Sequence, residues 1–163
     1  MKPGIPLPGN AGLPAGPRAL FLLAQDIATC RTCMTKPRIL VVDDEPNISG
    51  LVRVVLEKTE RFEVRVENRS ALALAAALEF RPDMILLDVD MPGKDGGEVS
   101  REIKAEPVLL GVPILFFTSL VSREEAGERE TILGGKLFLA KPVNPEVLIN
   151  TVDRVLAGRV YAP

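Results

Sequence analysis

The sequence predicts an α/β protein in which a parallel sheet lies between two layers of helices. From residue 38 onward, short apolar runs alternate with segments of helical periodicity, and five such runs occur. Strands that alternate with helices imply right-handed crossovers and a three-layer α/β sandwich. A chain of 163 residues has room for one such domain and a terminal extension.

Residues 1–36 are predicted to be an extension without a core of its own. Residues 1–18 contain five prolines and four glycines, so they bury too little apolar surface to offset the entropy of ordering. Apolar residues at helical spacing allow a short helix over residues 19–28. The same stretch has some character of a signal peptide, but polar residues interrupt it before any cleavage site. Because Met34 is a natural beginning for the domain, residues 1–33 are either an upstream extension or a mis-assigned start.

Cys30 and Cys33 have the spacing of a redox pair or of half a zinc site. No predicted strand precedes them, and one chain offers two of the four ligands of a structural zinc site. We interpret them as incidental thiols, with a metal or disulfide shared between two chains as the alternative. The formal charge of −2 provides no basic surface for nucleic acid, and no apolar run reaches the ~18–20 residues that span a bilayer. We therefore expect a cytoplasmic protein.

The first half of the domain contains two strands and two helices. The first predicted strand, Ile39–Val42, ends at Asp43-Asp44, and Pro46 then opens a helix, where a missing N–H costs nothing. The apolar face of this helix is predicted to consist of Ile48, Leu51, Val52, Val55 and Leu56. Alternating apolar residues predict an edge strand over residues 62–66, and an alanine-rich helix is predicted over residues 70–80.

The third predicted strand, residues 84–87, is a continuous apolar run, as expected for a strand buried on both faces. It delivers Asp88 to a loop rich in proline and glycine. A short helix follows around residues 99–105. The fourth strand, residues 112–117, runs directly into Thr118-Ser119.

The last third of the domain is predicted to begin with a charged, exposed helix over residues 122–133, opened by a capping box. A fifth strand over residues 137–140 ends at Lys141-Pro142. Asn144 caps the final helix, and Gly158 suits its C-terminal stop. The apolar face of that helix is Leu148, Val152, Val155 and Leu156. We expect no output domain after this helix.

Polar side chains stand at the ends of four predicted strands: Asp43-Asp44, Asp88, Thr118 and Lys141. Carboxyl ends of parallel strands lie along one edge of a sheet, where ligands bind, so we expect these residues to share a pocket. Each residue alone could be a helix cap, a turn residue or a solvated lysine. Carboxylates this close repel one another unless a cation joins them, and Mg²⁺ prefers such oxygen ligands.

The chain resembles a known family in four motifs, namely Asp43-Asp44, Asp88-Val-Asp-Met-Pro-Gly-Lys-Asp-Gly, Thr118-Ser119 and Lys141-Pro142. They are similar to the signature of the receiver domain of two-component response regulators. The resemblance covers about residues 37–158 and leaves residues 159–163 as a tail. It implies a flavodoxin-like, doubly wound sheet of five parallel strands in the order 2-1-3-4-5, the centre of a three-layer α/β/α sandwich.

By this resemblance Asp88 is the phosphoacceptor, and Thr118 and Lys141 contact the phosphoryl oxygens. The implied Mg²⁺ ligands are Asp44, Asp88 and the backbone carbonyl of Asp90, with Asp43 acting through water. A carboxylate is a competent nucleophile toward a phosphoryl group, and the transfer needs mainly positioning and charge neutralisation. The acyl phosphate formed adds about −1.5 to −2 charges and three strong acceptors.

The resemblance also implies how the signal is received and passed on. Thr118 and Phe138 would form the switch, and the Lys141–Pro142 peptide bond would be cis. The implied function is a stand-alone response regulator that accepts phosphate from a sensor histidine kinase or a phosphotransfer protein. A surface change would then reach a downstream protein target. We expect no direct binding to nucleic acid or membrane.

Two other classes of function remain open. Leu87–Asp90 also resembles the first motif of haloacid-dehalogenase-type phosphatases, which place an acidic metal-binding pair after the lysine. Here only Glu146 and Asp153 follow Lys141, both on a helix, whereas Asp43-Asp44 comes first. A receiver-like module that never gains phosphate is the other alternative. Because the order of motifs and the intact site favour a receiver, we expect no turnover beyond self-phosphorylation and self-dephosphorylation.

Overall fold

The computed structural model describes residues 35–119, 131–133, 135–142 and 144–158. The predicted helix over residues 19–28, the two cysteines and most of the predicted helix over residues 122–133 lie outside this part. The chain divides into two units, Met1–Thr35 and Lys36–Pro163. All the elements below belong to the second unit.

Strands and helices alternate along the described part of the chain as far as Thr118, and two more strands and a helix are described after it. They are β1 (Arg38–Val42), α1 (Pro46–Glu57), β2 (Glu63–Glu67), a 3₁₀ turn (Ser70–Leu72), α2 (Ala73–Phe80), β3 (Met84–Leu87), α3 (Gly96–Ala105), β4 (Ile114–Thr118), β5 (Thr131–Leu133), β6 (Lys136–Ala140) and α4 (Pro145–Leu156). They form one sheet in the order β2-β1-β3-β4-β6-β5. Its five parallel strands, counted among themselves, have the predicted order 2-1-3-4-5. None of the helices in these ranges is long and apolar enough to cross a bilayer.

The sheet has one strand that the sequence did not predict. Residues 131–133, expected to end a helix, instead form β5 and pair antiparallel with β6, with Thr131 opposite Phe138 and Leu133 opposite Lys136. Gly135 has φ of +74°, a conformation that favours glycine, so the chain can reverse tightly between the two strands. The helix prediction was therefore wrong for these three residues. Two of them, Thr131 and Ile132, are β-branched, which favours a strand.

Both faces of the sheet are covered, which explains the continuous apolar runs of its central strands. Alternate residues of a strand point to opposite faces. Ile39 and Val41 of β1 belong to a cluster with residues of α1 and α4, while Leu40 and Val42 belong to one with residues of α2 and α3. The prediction for α1 was only partly right, since Leu51 is 64% exposed.

The ends of the helices depend on local hydrogen bonds. The predicted helix over residues 70–80 begins with the 3₁₀ turn, and α3 begins at Gly96, before its predicted start. Asp95 and Glu98 form a capping box there that the sequence analysis missed. The predicted cap of α4 is confirmed, because the Asn144 side chain accepts a hydrogen bond from the backbone N–H of Glu146 at 2.8 Å.

Candidate functional site

The strand pairing brings the predicted site residues to one edge of the sheet. β1 pairs with β3, β3 with β4 and β4 with β6, all in parallel, so their carboxyl ends are neighbours. The backbone N–H of Asp88 donates to the carbonyl of Val42, and that of Lys141 donates to the carbonyl of Thr118. These hydrogen bonds continue the ladders just beyond the strands, so the backbone of Asp88 and Lys141 is held in place.

Lys141 lies at the centre of the charged cluster. Its Nζ donates a hydrogen bond of 2.8 Å to Asp88 Oδ2 and lies 2.6 Å from Asp43 Oδ2. All three side chains are almost completely buried, and Asp88 is only 4% exposed as a residue. Buried charges are tolerated when they are paired, so this ammonium is what allows two carboxylates to be buried together.

The buried charges shift two pKa values. Burial raises the pKa of the Asp43 carboxyl above its ordinary value, and the neighbouring Lys141 ammonium opposes this rise only in part. Burial alone would lower the pKa of Lys141, but the hydrogen bonds and charges of Asp43 and Asp88 outweigh it and raise that pKa. Lys141 is therefore charged at neutral pH, while ionised Asp43 is held at an energetic cost.

Three carboxylates of this cluster could hold a cation. Asp43, Asp44 and Asp88 each offer one oxygen, and the three atoms all lie within 4.8 Å of one another. Asp43 Oδ2 is buried and lies 2.6 Å from the Lys141 ammonium. Three hard oxygen donors facing one ammonium fit a small divalent cation such as Mg²⁺.

The loop after Asp88 folds back onto its backbone. Asp88 Oδ1 accepts hydrogen bonds from the N–H groups of Val89 at 2.7 Å and Asp90 at 3.4 Å. Gly96 donates to the carbonyl of Val89, and a Cβ at Gly96 would lie 2.2 Å from the Asp88 carbonyl oxygen. Because that contact is with backbone, a side chain at position 96 does not fit without a shift of the loop.

The two predicted switch residues lie on neighbouring strands. Thr118 is buried at the end of β4 and is paired in register with Ala140, while Phe116 is paired with Phe138 two positions earlier. Phe138 is half-buried and stacks on Phe116 with ring centroids 5.1 Å apart. Since residues two apart share a face of the sheet, Thr118 and Phe138 lie diagonally across one face.

The remaining predicted features are also at this edge. The Lys141–Pro142 bond is cis, as the resemblance implied. Asp90 is exposed and so does not join the buried cluster through its side chain. Sequence reasoning missed Asn68 and Ser70. Asn68 contacts the loop that carries Asp43 and Asp44, and Ser70 contacts the loop that follows Asp88; we call these two the acidic loops. Only the small polar residues at the end of β2 could have drawn attention to Asn68 and Ser70.

Comparison with known proteins agrees with this geometry. The family model described as "Response regulator receiver domain" matches residues 39–153. Protein PilH of Pseudomonas aeruginosa is 32% identical over 74% of this chain and 98% of its own length. The DNA-binding response regulator MtrA of Mycolicibacterium smegmatis is 34% identical over 72% of this chain, which spans only 49% of MtrA. A structure of the Vibrio cholerae chemotaxis protein CheY4 superposes with a TM-score of 0.64, at 31% identity, over 74% of this chain and 99% of CheY4. This chain therefore belongs to the family of response regulator receiver domains.

Proposed function

We propose that the domain, over residues 37–158, takes up a phosphoryl group on Asp88 in a Mg²⁺-dependent reaction and signals through the resulting surface change. One observation carries this proposal. The buried Asp88 carboxylate accepts a hydrogen bond from Lys141 at 2.8 Å and shares its pocket with two more carboxylates. An ammonium and a cation site beside one nucleophile are what phosphoryl transfer needs.

The chain's own residues orient the nucleophile. Lys141 holds Oδ2 of Asp88, and the Val89 N–H holds Oδ1. One carboxylate oxygen attacks phosphorus, an O–P bond forms, and the bond to the leaving group breaks with its electron pair. Lys141 then faces the negative charge of the phosphoryl oxygens. Asp43, Asp44, Asp88 and the Asp90 carbonyl would hold Mg²⁺, which neutralises phosphoryl charge when bound.

The proposed donor is a sensor histidine kinase or a phosphotransfer protein. The 163 residues contain no histidine, so a phosphohistidine donor must lie outside them. A groove of about 270 Å³ lies beside Lys141, and side chains of α1 and α4 form its apolar walls, including Leu51 and Leu148. Exposed apolar surface of this kind next to the acceptor suits the helical face of a partner.

The proposed output depends on Thr118 and Phe138. A new phosphoryl oxygen offers the Thr118 hydroxyl an acceptor, and movement of Thr118 would change the space beside Phe138 on the same face of the sheet. The ring would then present a different surface to a downstream protein target. We place this exchange in the cytoplasm, where kinase and target are available, with no direct contact to nucleic acid or membrane.

The test is incubation with acetyl phosphate and Mg²⁺, followed by intact-mass measurement and an assay for release of phosphate from small esters. We expect the protein to gain one phosphoryl group, and EDTA to prevent the gain. Continuous hydrolysis of small esters would indicate a phosphatase instead. A protein that neither gains mass nor hydrolyses esters would be an interaction module, and the proposal would be wrong.

A further inference from the structure

The connection that follows β2 contacts both acidic loops. Asn68 Nδ2 donates to the backbone carbonyl of Asp43 at 2.6 Å and to Ser49 Oγ at 2.8 Å. Because a carbonyl oxygen can only accept, the amide nitrogen must face it. Ser49 in turn donates to the carbonyl of Glu45 at 3.1 Å. Asn68 therefore ties the loop that carries Asp43 to the first turn of α1.

Ser70 does the same for the loop after Asp88. Its hydroxyl donates to the carbonyl of Pro92 at 2.8 Å and accepts from the N–H of Lys94 at 3.2 Å. Between these two lies Gly93, whose φ is +87°. Ser70 is only 7% exposed, so water has little access to replace these bonds. One hydroxyl thus holds both sides of the turn at Gly93.

We propose that Asn68 and Ser70 are positioning residues for the cation site, an inference that rests on the proposed function. Three carboxylates that repel one another would spread their loops apart unless the backbone were held. Among the described residues the two side chains bond only to backbone groups and to Ser49, so they act by fixing where the carboxylates and the Asp90 carbonyl lie. Residues behind the ligands commonly tune metal affinity in this way.

The test compares Ser70→Ala and Asn68→Ala with Thr59→Val in the full chain. Thr59 Oγ1 donates to the carbonyl of Leu56 at 2.7 Å and accepts from the N–H of Arg61 at 3.3 Å. Thr59 thus makes the same two kinds of hydrogen bond as Ser70, but in a turn that precedes β2. The control removes a similar pair of hydrogen bonds at the opposite end of the sheet from the acidic loops.

Two readouts are needed. One is the rate of amide hydrogen exchange in EDTA, followed at short labelling times, and the other is calorimetric titration with Mg²⁺. We expect faster exchange in residues 89–95 for Ser70→Ala and in residues 43–45 for Asn68→Ala, each without effect on the other loop. The Kd for Mg²⁺ should rise roughly 10-fold in both variants, as is typical when support for metal ligands is lost. Thr59→Val should change neither readout.

The outcomes separate this inference from the proposed function. Wild-type protein that binds no Mg²⁺ would contradict the proposed function, while the exchange data would still decide whether the two residues hold the loops. Exchange equal to that of Thr59→Val in both loops would overturn the inference. Faster exchange together with a wild-type Kd for Mg²⁺ would also overturn it, because the bonds would then serve the fold alone.

Discussion

Asp43 is the residue of the site whose ionised form is disfavoured by burial. Its carboxyl is buried beside that of Asp88, and the single ammonium of Lys141 contacts both carboxylates. Burial raises its pKa in the folded protein above the ordinary value of 3.8. A carboxyl with a raised folded pKa favours folding when it is protonated, so its contribution falls as pH rises from 3.8 through the raised pKa.

Asp43→Asn should therefore gain thermal stability relative to the wild type as pH rises. In EDTA, the difference in Tm between the variant and the wild type should grow from about pH 3 upward and level off above the raised pKa. Mg²⁺ should reverse the effect by stabilising only the wild type. Melting curves at a series of pH values measure this. A Tm difference that does not depend on pH would show that ionised Asp43 carries no energetic cost.

Asp90 is expected to set the lifetime of the phosphate. It is exposed and lies two residues past Asp88, so its carboxylate can stand beside an acyl phosphate and orient or repel a hydrolytic water. Asp90→Ala should take up phosphate to the same extent but lose it at a rate changed several-fold. Decay of the phosphorylated mass after removal of the phosphodonor measures the rate. Indistinguishable decay in the two proteins would exclude this role.

Among the helices and strands, the sequence correctly predicted the features that depend on residues of a single segment. The run of Met84–Leu87 and the cap at Asn144 are local features, and both were predicted correctly. β5 was missed because a strand of three residues is defined by its pairing with β6, and the charged residues before it resemble a helix. Polar residues at strand ends predicted the acidic cluster, but Asn68 and Ser70 bond to distant backbone groups, of which small polar residues after β2 are only a weak sign.

Phe138, whose ring stacks on Phe116, is expected to link phosphorylation of Asp88 to partner binding at the surface. Phe138→Ala should leave phosphorylation of Asp88 largely intact but remove the difference in partner binding between the two states. Burial of a Phe side chain contributes roughly 1.5–3 kcal/mol, which is enough to bias a two-state surface. A pull-down with phosphorylated and unphosphorylated protein measures this.

Phe80→Ala provides the control for that experiment. Phe80 is also half-buried, but it lies at the end of α2, under the guanidinium of Arg38. This variant should still distinguish the two phosphorylation states. If Phe138→Ala distinguishes them equally well, the ring of Phe138 serves only to pack against Phe116.

In the sequence, the apolar pattern of the domain begins at Arg38. Removal of residues 1–33 should therefore leave both Tm and phosphoryl uptake nearly unchanged. A loss of about 1 kcal/mol would lower the Tm of a small domain by roughly 4–8 °C. Differential scanning calorimetry of the full and shortened chains measures this, and a drop of more than ~4 °C would show that residues 1–33 stabilise the domain.

If Asp88 receives the phosphoryl group, chemical location of the modified residue will find it at position 88. After reaction with acetyl phosphate and Mg²⁺, borohydride reduces an acyl phosphate to an alcohol, so peptide mass spectrometry can identify the modified residue. We expect homoserine at position 88 alone, and no phosphoryl uptake by a folded Asp88→Asn protein. Reduction at Asp43 or Asp44, or a phosphorylated Asp88→Asn protein, would contradict the assignment.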